Sequence, residues 1–276
     1  MLNIMVNTLI IPAMIMERGK NVPIRLVKQL FNSSLPENSR KRLPVIAFVI
    51  PTHNHSLRRI TSEIVQNFSE QKHYLIVVND GSTKKVFIPK GALTVQHTRK
   101  LGLAQSLLSG YRKAVELPVD YMVRADADGE YPLYPVREII GKLEVSPSIA
   151  GSFIELKRDR ESNGLVDALF HKIMGYIEGL IILGKPMYQH SPGLQIYKKE
   201  TIVSILPKIE RFIETQPQGW GLDLAVIKLA SIEGEIITVK IDKHGWRERR
   251  PFGKIIRQAM DALSTLKKIN TSEFLS

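Results

Sequence analysis

Three acidic side chains stand on alternate residues, directly after a largely apolar run near the middle of the chain. The run "YMVRA" at 121–125 is typical of a buried strand, and Asp126, Asp128 and Glu130 follow it. Clustered carboxylates in this position are costly unless a cation neutralises them. Oxygen ligands favour hard cations, so the pattern predicts Mg²⁺ or Mn²⁺ that bridges to a substrate phosphate. A solvated turn that caps the next helix is the alternative interpretation.

Two other predicted strands end in polar residues. The run "PVIAFVI" at 44–50 is followed by "PTHNH", and "YLIVVND" at 74–80 ends in the turn "NDGS". Ligands of open parallel sheets bind outside the carboxyl ends of the strands. We therefore expect these two segments to lie beside the three acids, although "NDGS" alone would be an ordinary turn.

The elements that would position these residues alternate between strand and helix. Strands are predicted at 44–50, 74–80, 92–96 and 120–125, and helices at 56–68, 101–115 and 134–143. Alternation of this kind predicts a parallel sheet with helices on both faces. The second half is less regular, with strands predicted at 148–154, 194–197 and 235–241 and helices at 164–183 and 222–230.

The predicted helix at 164–183 carries a continuous apolar face. The side chains on this face are Leu165, Leu169, Ile173, Ile177, Leu180 and Ile181. Such a stripe usually packs against a protein core. The alternative is a surface that lies against a membrane, because apolar area beside Lys and Arg favours anionic interfaces.

The composition is that of an ordinary globular protein with a strong basic bias. Of 276 residues, 43% are hydrophobic and 24% are charged, and the formal net charge is +12. This charge indicates a solvated basic surface, a membrane surface, phosphate ligands or nucleic acid. Nucleic acid is the weakest of these, because no helix-turn-helix, zinc-binding or RNA-binding aromatic pattern is present. The absence of cysteine excludes disulfides and thiolate metal sites and fits a reducing compartment.

We predict three segments: a basic N-terminal extension at 1–43, an α/β domain at 44–244, and a basic C-terminal tail at 245–276 with an amphipathic helix. The most apolar stretches are too short, or too often interrupted by polar residues, to span a membrane. The N-terminus has no basic leading region or small-residue cleavage site, so a signal peptide is not expected. The expected location is the cytoplasm, either free or peripheral on the cytoplasmic face of the membrane.

Four blocks of the sequence resemble family 2 glycosyltransferases of the GT-A fold. In chain order they are "VIAFVIPTHNHSLRRI", "YLIVVNDGSTKK", "KLGLAQSLLSGYRKA" and "RADADGEYPL", and they cover about residues 45–140. The subgroup with the most similar motifs is the polyprenyl-phosphate sugar synthases, such as dolichol-phosphate mannose synthase. The resemblance implies a Rossmann-like α/β/α sandwich with a mostly parallel central sheet. It also implies metal-dependent, inverting transfer of a sugar from a nucleotide-diphosphate donor to a polyprenyl phosphate or a lipid-linked glycan.

The resemblance also implies roles for individual residues. Those implied in nucleotide-sugar binding are Pro51, Thr52, Asn54, Asn79, Asp80, Lys100, Gly102 and Asp126, together with Arg249, Arg250 and Lys254 from the loop "WRERRPFGK". The implied metal ligands are Asp126, Asp128 and Glu130, and the implied catalytic residues are Asp128 and Asp223. A bound cation would neutralise the leaving diphosphate as the glycosidic bond opens.

The second half departs from the family pattern at positions that concern the acceptor. In the block "SPGLQIYKKE", Gln195 stands where the family has Arg, and Phe153 stands at another position where Arg is common. Because a phosphate accepts donors from several directions, Lys157, Arg158 and Arg160 are candidates to hold an acceptor phosphate instead.

The role of Asp223 depends on the acceptor. A hydroxyl acceptor would need Asp223 as a general base, whereas a phosphate acceptor is already anionic and would leave Asp223 to position the donor or a basic partner. A third interpretation pairs Asp223 with the Arg-rich loop at 246–254. We interpret His244, which precedes a glycine, as a turn residue rather than a metal ligand.

Two other functions share some of these features. A sugar-nucleotide nucleotidyltransferase would need a Gly-rich, Arg-containing loop after the first strand, which "PTHNHSLRR" does not supply. A non-catalytic membrane- or nucleic-acid-binding relative would explain the basic charge and the altered motifs of the second half.

Overall fold

The computed structural model of the protein describes residues 42–157, 165–188, 190, 192–215, 221–242, 252–269, 271 and 274. The strands in this part of the chain are β1 (Ile46–Thr52), β2 (His73–Asp80), β3 (Leu93–His97), β4 (Tyr121–Ala125), β5 (Ile149–Lys157), β6 (Leu194–Lys198) and β7 (Glu235–Asp242). The helices are α1 (Arg58–Phe68), α2 (Leu103–Val115), α3 (Val136–Val145), α4 (Leu165–Leu183), α5 (Lys199–Thr215), α6 (Leu222–Glu233) and α7 (Phe252–Ile269).

The strands form one seven-stranded sheet in the order β3-β2-β1-β4-β6-β5-β7. All neighbouring strands are parallel except β6, which is antiparallel to both β4 and β5. The chain runs outward from β1 through β2 to β3, and then returns to the other side of β1 to form β4. This topology confirms the predicted fold class, an α/β structure with a mostly parallel central sheet flanked by helices.

Helices cover both faces of the sheet, which explains why its central strands are continuous apolar runs. Every residue of β1 is buried. On one face, Val49 belongs to the same apolar cluster as Tyr111 of α2. On the other face, Phe48 packs edge-to-face on Phe68 of α1, with ring centroids 5.0 Å apart. The strand that precedes the first polar loop is therefore held by packing on two sides.

The chain divides into two compact units, Met1–Leu43 and Pro44–Ser276. Only residues 42 and 43 of the predicted N-terminal extension are described, so the rest of that segment lies outside the described residues. Helix α7, from the predicted C-terminal tail, belongs to the second unit and contacts α4 and α6. Residues 243–251 also lie outside the described residues.

Helix α5 is not among the predicted elements, although its apolar residues have helical spacing. Its buried side chains are Thr201, Ile202, Ile205, Ile209, Phe212 and Ile213. Pro207 lies inside the helix, and an interior proline removes a hydrogen bond and usually ends a helix. Packing against α2 and α6 overrides this local preference.

The prediction that the apolar face of α4 packs against the core is wrong in part. Leu169, Ile173 and Leu180 are 52%, 49% and 45% exposed. The buried side of the helix instead carries Glu178, whose Oε1 lies 2.5 Å from Nδ1 of His190. An acid that is paired can face the interior. The spacing of apolar residues alone does not show that Glu178 is on the buried side. No helix among the described residues is long and apolar enough to cross a membrane.

Replacement of Gly110 in α2 by alanine should destabilise the protein. A Cβ atom at this position would lie 2.3 Å from Val49 Cγ1, so the helix and the sheet would have to separate at a cost of about 1–3 kcal/mol. The matched control is Gly141→Ala in α3, where a Cβ atom meets nothing within 4 Å. This control should raise the free energy of unfolding by roughly 0.5–1 kcal/mol, because alanine has a higher helix propensity than glycine. Urea denaturation measures both changes, and equal stability of the two variants would contradict the close packing of α2 on β1.

Candidate active site

The predicted polar segments lie at one edge of the sheet. Strand β1 pairs in parallel with β2 and with β4, so the carboxyl ends of these three strands are neighbours. Asn54 follows β1, Asp80 ends β2, and Asp126 and Asp128 follow β4. The strand order reverses at β1, and open α/β sheets bind ligands at such a reversal point.

Asn54 joins the loop after β1 to the loop after β2. Its φ of 62° lies in the left-handed region, which asparagine tolerates better than most residues. Its Oδ1 accepts a hydrogen bond from the backbone N–H of Lys84 at 2.9 Å, and its own N–H donates to Ser82 Oγ at 2.9 Å. At the end of β1, Thr52 Oγ1 donates to the carbonyl of His55 at 3.2 Å. These hydrogen bonds fix the loops that carry the residues predicted to line a nucleotide pocket.

Asp80 is held entirely by the protein. Its Oδ2 accepts a hydrogen bond from the N–H of Gly102 at 2.9 Å, and its Oδ1 accepts one from the N–H of Leu101 at 2.8 Å. His97 Nδ1 lies 2.9 Å from the same Oδ1. Burial alone would raise the pKa of Asp80, but these hydrogen bonds and His97 lower it below its ordinary value. Asp80 thus anchors the loop that begins α2.

That loop brings Lys100 to the predicted edge. A Cβ atom on Gly81 would lie 2.2 Å from the carbonyl carbon of Arg99, so the loops after β2 and β3 are in close contact. Lys100 is exposed there. Asn79 Nδ2 donates to Gln96 Oε1 at 2.9 Å, a contact that joins β2 to β3. Gly102, Lys100 and Asn79 are therefore grouped at the end of β2, as the parallel sheet predicts.

The three acids after β4 have different surroundings. Asp128 is exposed, Asp126 has an exposed side-chain fraction of 32%, and Glu130 is buried. The backbone N–H of Glu130 donates to Asp128 Oδ1 at 3.0 Å, which closes the turn. Within the part of the chain that the structure describes, no three His, Asp or Glu side chains are grouped to hold a metal ion. The predicted three-carboxylate metal site is therefore not formed by these residues alone.

The donor set still fits a hard cation. Mg²⁺ and Mn²⁺ commonly use one or two protein carboxylates and take their other ligands from substrate phosphates and water. Asp128 and the accessible part of Asp126 supply two carboxylates that are separated by one residue. A diphosphate would have to complete the coordination.

Arg59 lies across the turn that carries Asp128. A Cβ atom on Gly129, whose φ is +69°, would lie 2.7 Å from Arg59 Cδ, so the Arg59 side chain passes close to this turn. Glu63 of the same helix accepts a hydrogen bond from the N–H of Leu133 at 2.9 Å. Helix α1 therefore positions the acidic turn and places a cation beside it. The sequence signal for this was the basic pair at the start of α1, which the motif blocks include without assigning a role.

Arg124 is the main site residue that the sequence motifs do not identify. Its guanidinium is 1% exposed; Nη1 donates to the carbonyl of Pro192 at 2.7 Å and Nη2 to Asp126 Oδ1 at 2.9 Å. Burial alone would lower the pKa of Arg124, but Asp126 and Asp223 raise it above its ordinary value. The available signal was a charged residue within an apolar strand, two positions before the acids.

Asp223 lies in the first turn of α6 and is 2% exposed. Its Oδ2 is 3.4 Å from Arg124 Nη2, so it belongs to the same buried cluster as Arg124 and Asp126. Tyr111 and Tyr197 lie nearby, and burial raises the pKa of both phenols. Asp223 thus lies close to the acids after β4, but it is buried inside the protein and is not at the exposed edge of the sheet.

Several predicted residues cannot be placed. Arg158, Arg160, His244, Arg249 and Arg250 lie outside the described residues, as do the side chains of Lys157 and Lys254. The later loop and the candidate acceptor-phosphate residues therefore stay predictions.

Asp80→Asn should lower the free energy of unfolding by about 1.5–3 kcal/mol at neutral pH, because charge-assisted hydrogen bonds are lost. The pKa of Asp80 in the folded protein is below its ordinary value of 3.8. Its stabilisation is therefore present above that pH and is lost as the pH falls below it, and the difference from wild type shrinks in acid.

Asp128→Asn is the control for Asp80→Asn, since this exposed side chain should change stability by less than about 0.5 kcal/mol. Urea denaturation at several pH values measures both variants. A difference between Asp80→Asn and wild type that does not depend on pH would contradict the ionised, hydrogen-bonded state of Asp80.

Comparison with known proteins gives a structural likeness only. No protein-family model matches the chain, and no curated protein matches its sequence. The fold is similar to that of glucosyl-3-phosphoglycerate synthase from Mycobacterium tuberculosis. In the crystal structure of that protein with Mn²⁺, UDP and phosphoglyceric acid, identity is 18% and the TM-score is 0.58, over 82% of this chain and 78% of that chain.

Two further crystal structures of the same synthase agree. The complex with Mn²⁺, UDP-glucose and phosphoglyceric acid is 17% identical with a TM-score of 0.56, over 82% of this chain and 79% of that chain. A third structure is 19% identical with a TM-score of 0.57, over 82% and 80% of the two chains. At these identities the likeness shows the fold, which is the GT-A type of α/β sandwich. The polyprenyl-phosphate subgroup stays a prediction from the motifs.

Proposed function

We propose that this protein is a metal-dependent glycosyltransferase that uses a nucleotide-diphosphate sugar as donor. The observation that carries the proposal is the exposed carboxylate of Asp128 at the edge where the strand order reverses. Nucleotides bind open α/β sheets at such an edge. The likeness to a synthase whose crystal structures contain UDP-glucose and Mn²⁺ supports the same donor chemistry.

In this proposal, Asp128 and Asp126 would hold Mg²⁺ or Mn²⁺ together with oxygens of the donor diphosphate. The bound cation would supply positive charge to the leaving diphosphate. Residues of the chain bind and orient the rest of the donor. The loops that carry Asn54 and Asp80 contact the nucleoside part of the donor. Arg59 and Lys100 add positive charge beside its diphosphate.

We also propose an acceptor that bears a phosphate, such as a polyprenyl phosphate. A phosphate oxygen is already anionic, so its attack on the anomeric carbon needs no general base. The burial of Asp223, which is 2% exposed, agrees with such an acceptor. The formal net charge of +12 also favours an anionic substrate. Attack from the side opposite the diphosphate would invert the anomeric carbon.

An exposed apolar row on α4 supports a membrane location for this acceptor. The α4 row consists of Leu169, Ile173, Tyr176 and Leu180, which recur at helical spacing and are each at least 45% exposed. Lys172 on the same helix is also exposed. Apolar side chains beside lysine favour an anionic lipid interface. The protein would then lie peripherally on the cytoplasmic face of the membrane.

Asp128→Asn should lower the rate of sugar transfer, or of donor hydrolysis, about 100-fold or more, because a metal-bound transition state loses a charged ligand. Glu138→Gln is the control, since Glu138 is an exposed acid on α3 paired with Lys142. Thermal shift with UDP, GDP, ADP and CDP, each with Mn²⁺ or with EDTA, reports binding independently of turnover. Failure of wild type to show a Mn²⁺-dependent shift with any of the four would overturn the proposed donor site.

Leu169→Ser combined with Ile173→Ser should weaken vesicle binding at least about tenfold, because two apolar side chains are lost from the interface. Val65→Ser is the control, since Val65 on α1 is 58% exposed on another helix. Sedimentation with phosphatidylcholine vesicles, with and without phosphatidylglycerol, measures the change.

The same enzyme preparation distinguishes the two sources of an acceptor phosphate. Transfer to a polyprenyl phosphate in vesicles is the expected result. Transfer to 3-phosphoglycerate but not to polyprenyl phosphate would overturn the lipid acceptor while preserving the donor assignment.

A further inference from the structure

A buried guanidinium joins three elements behind the proposed metal site. Arg124 on β4 contacts the carbonyl of Pro192, which precedes β6, and the carboxylates of Asp126 and Asp223. Given the proposed function, we infer that Arg124 is a positioning residue, which holds Asp126 ready for the donor diphosphate and its metal. On the same inference, Asp223 acts through Arg124 and is not the general base.

The Asp126 carboxylate is bound at one oxygen and lies close to the backbone of Gly193 at the other. Oδ1 accepts a hydrogen bond from Arg124 Nη2 at 2.9 Å. Oδ2 lies over Gly193, where a Cβ atom would approach it to 2.2 Å, and the N–H of Asp126 donates to the carbonyl of Gly193 at 3.2 Å. A carboxylate fixed in this way before ligand binding costs no rearrangement when the diphosphate and metal arrive.

The burial of Asp223 argues against proton abstraction from an acceptor. A general base has to come within hydrogen-bond reach of the proton that it removes, but Asp223 is 2% exposed. Its Oδ2 lies 3.4 Å from the guanidinium that also binds Asp126. A buried charge of this kind is costly without its partner. Asp223 therefore balances the charge of Arg124 at the same Nη2 that binds Asp126.

The strand register explains a departure from the family pattern. Gln195 occupies the position where the resembling block has Arg, and its Cα partner across the β4–β6 pair is Arg124. Gln195 Nε2 donates to the carbonyl of Pro192 at 3.1 Å, the same carbonyl that Arg124 Nη1 binds at 2.7 Å. Arg124 on β4 therefore places a guanidinium beside Gln195, the position at which the family pattern has an arginine.

Two variants test this inference with binding as well as turnover. Arg124→Lys keeps the cation but cannot reach Pro192 and both carboxylates together; the control is Arg112→Lys, at an exposed arginine paired with Glu210 on α5. Binding of Mn²⁺ with UDP or GDP is followed by the electron paramagnetic resonance of free Mn²⁺. Arg124→Lys should weaken this binding about tenfold, and Arg112→Lys should leave it unchanged.

Asp223→Asn distinguishes a positioning role of Asp223 from a general-base role, even if Arg124→Lys does not fold. A positioning role predicts weaker binding of Mn²⁺ with the nucleoside diphosphate and a fall in kcat of less than about tenfold. A general base predicts unchanged binding and a kcat loss of about 100- to 10,000-fold, measured with UDP-glucose and GDP-mannose as donors.

The outcomes separate the inference from the proposed function. Wild type that binds Mn²⁺ with a nucleoside diphosphate, together with an Asp223→Asn variant of unchanged affinity, overturns the inference alone. Unchanged affinity of a folded Arg124→Lys variant does the same. Wild type that binds neither Mn²⁺–UDP nor Mn²⁺–GDP overturns both the inference and the donor site on which it rests.

Discussion

The candidate site depends on the pairing of β1 with β2 on one side and β4 on the other. Ile46 lies opposite both His73 and Tyr121, so the three strands begin level and end at a common edge. Because β1 is buried on both faces, a slip of one residue would exchange the side chains that face α1 and α2. Core packing therefore sets the register, and the register brings the polar loops together.

The carboxylates at this edge and behind it divide by their surroundings. Asp80 and Asp223 are buried and paired within the protein, whereas Asp128 is exposed. Asp126 is intermediate, with one oxygen bound to Arg124. A buried carboxylate with partners keeps a fixed position, while an exposed one is accessible to a ligand. Acids that look alike in the sequence thus differ in the structure: Asp80 and Asp223 are fixed by protein contacts, whereas Asp128 is accessible from solvent.

Much of the fold could be predicted because buried parallel strands are short apolar runs with clear ends. The shared edge of Asn54, Asp80 and Asp126 follows from that pattern. The partners of these side chains could not be predicted, because His97, Leu101 and Arg124 reach them through tertiary contacts. Helix α5 was hidden by Pro207, and the orientation of α4 by the buried pair of Glu178 and His190. In each case an interaction distant in sequence outweighed a local signal.

The reversed direction of β6 determines which segments of the chain reach the edge of the candidate site. In a wholly parallel sheet, only segments that follow strands reach the ligand-binding edge. Because β6 runs antiparallel to β4, the segment before it, with Pro192 and Gly193, reaches that edge as well. This segment contacts Arg124 and Asp126, so a change in its position would act on the loop after β4. One strand inversion thus adds a segment from the second half of the chain to an edge that is otherwise formed by the first half.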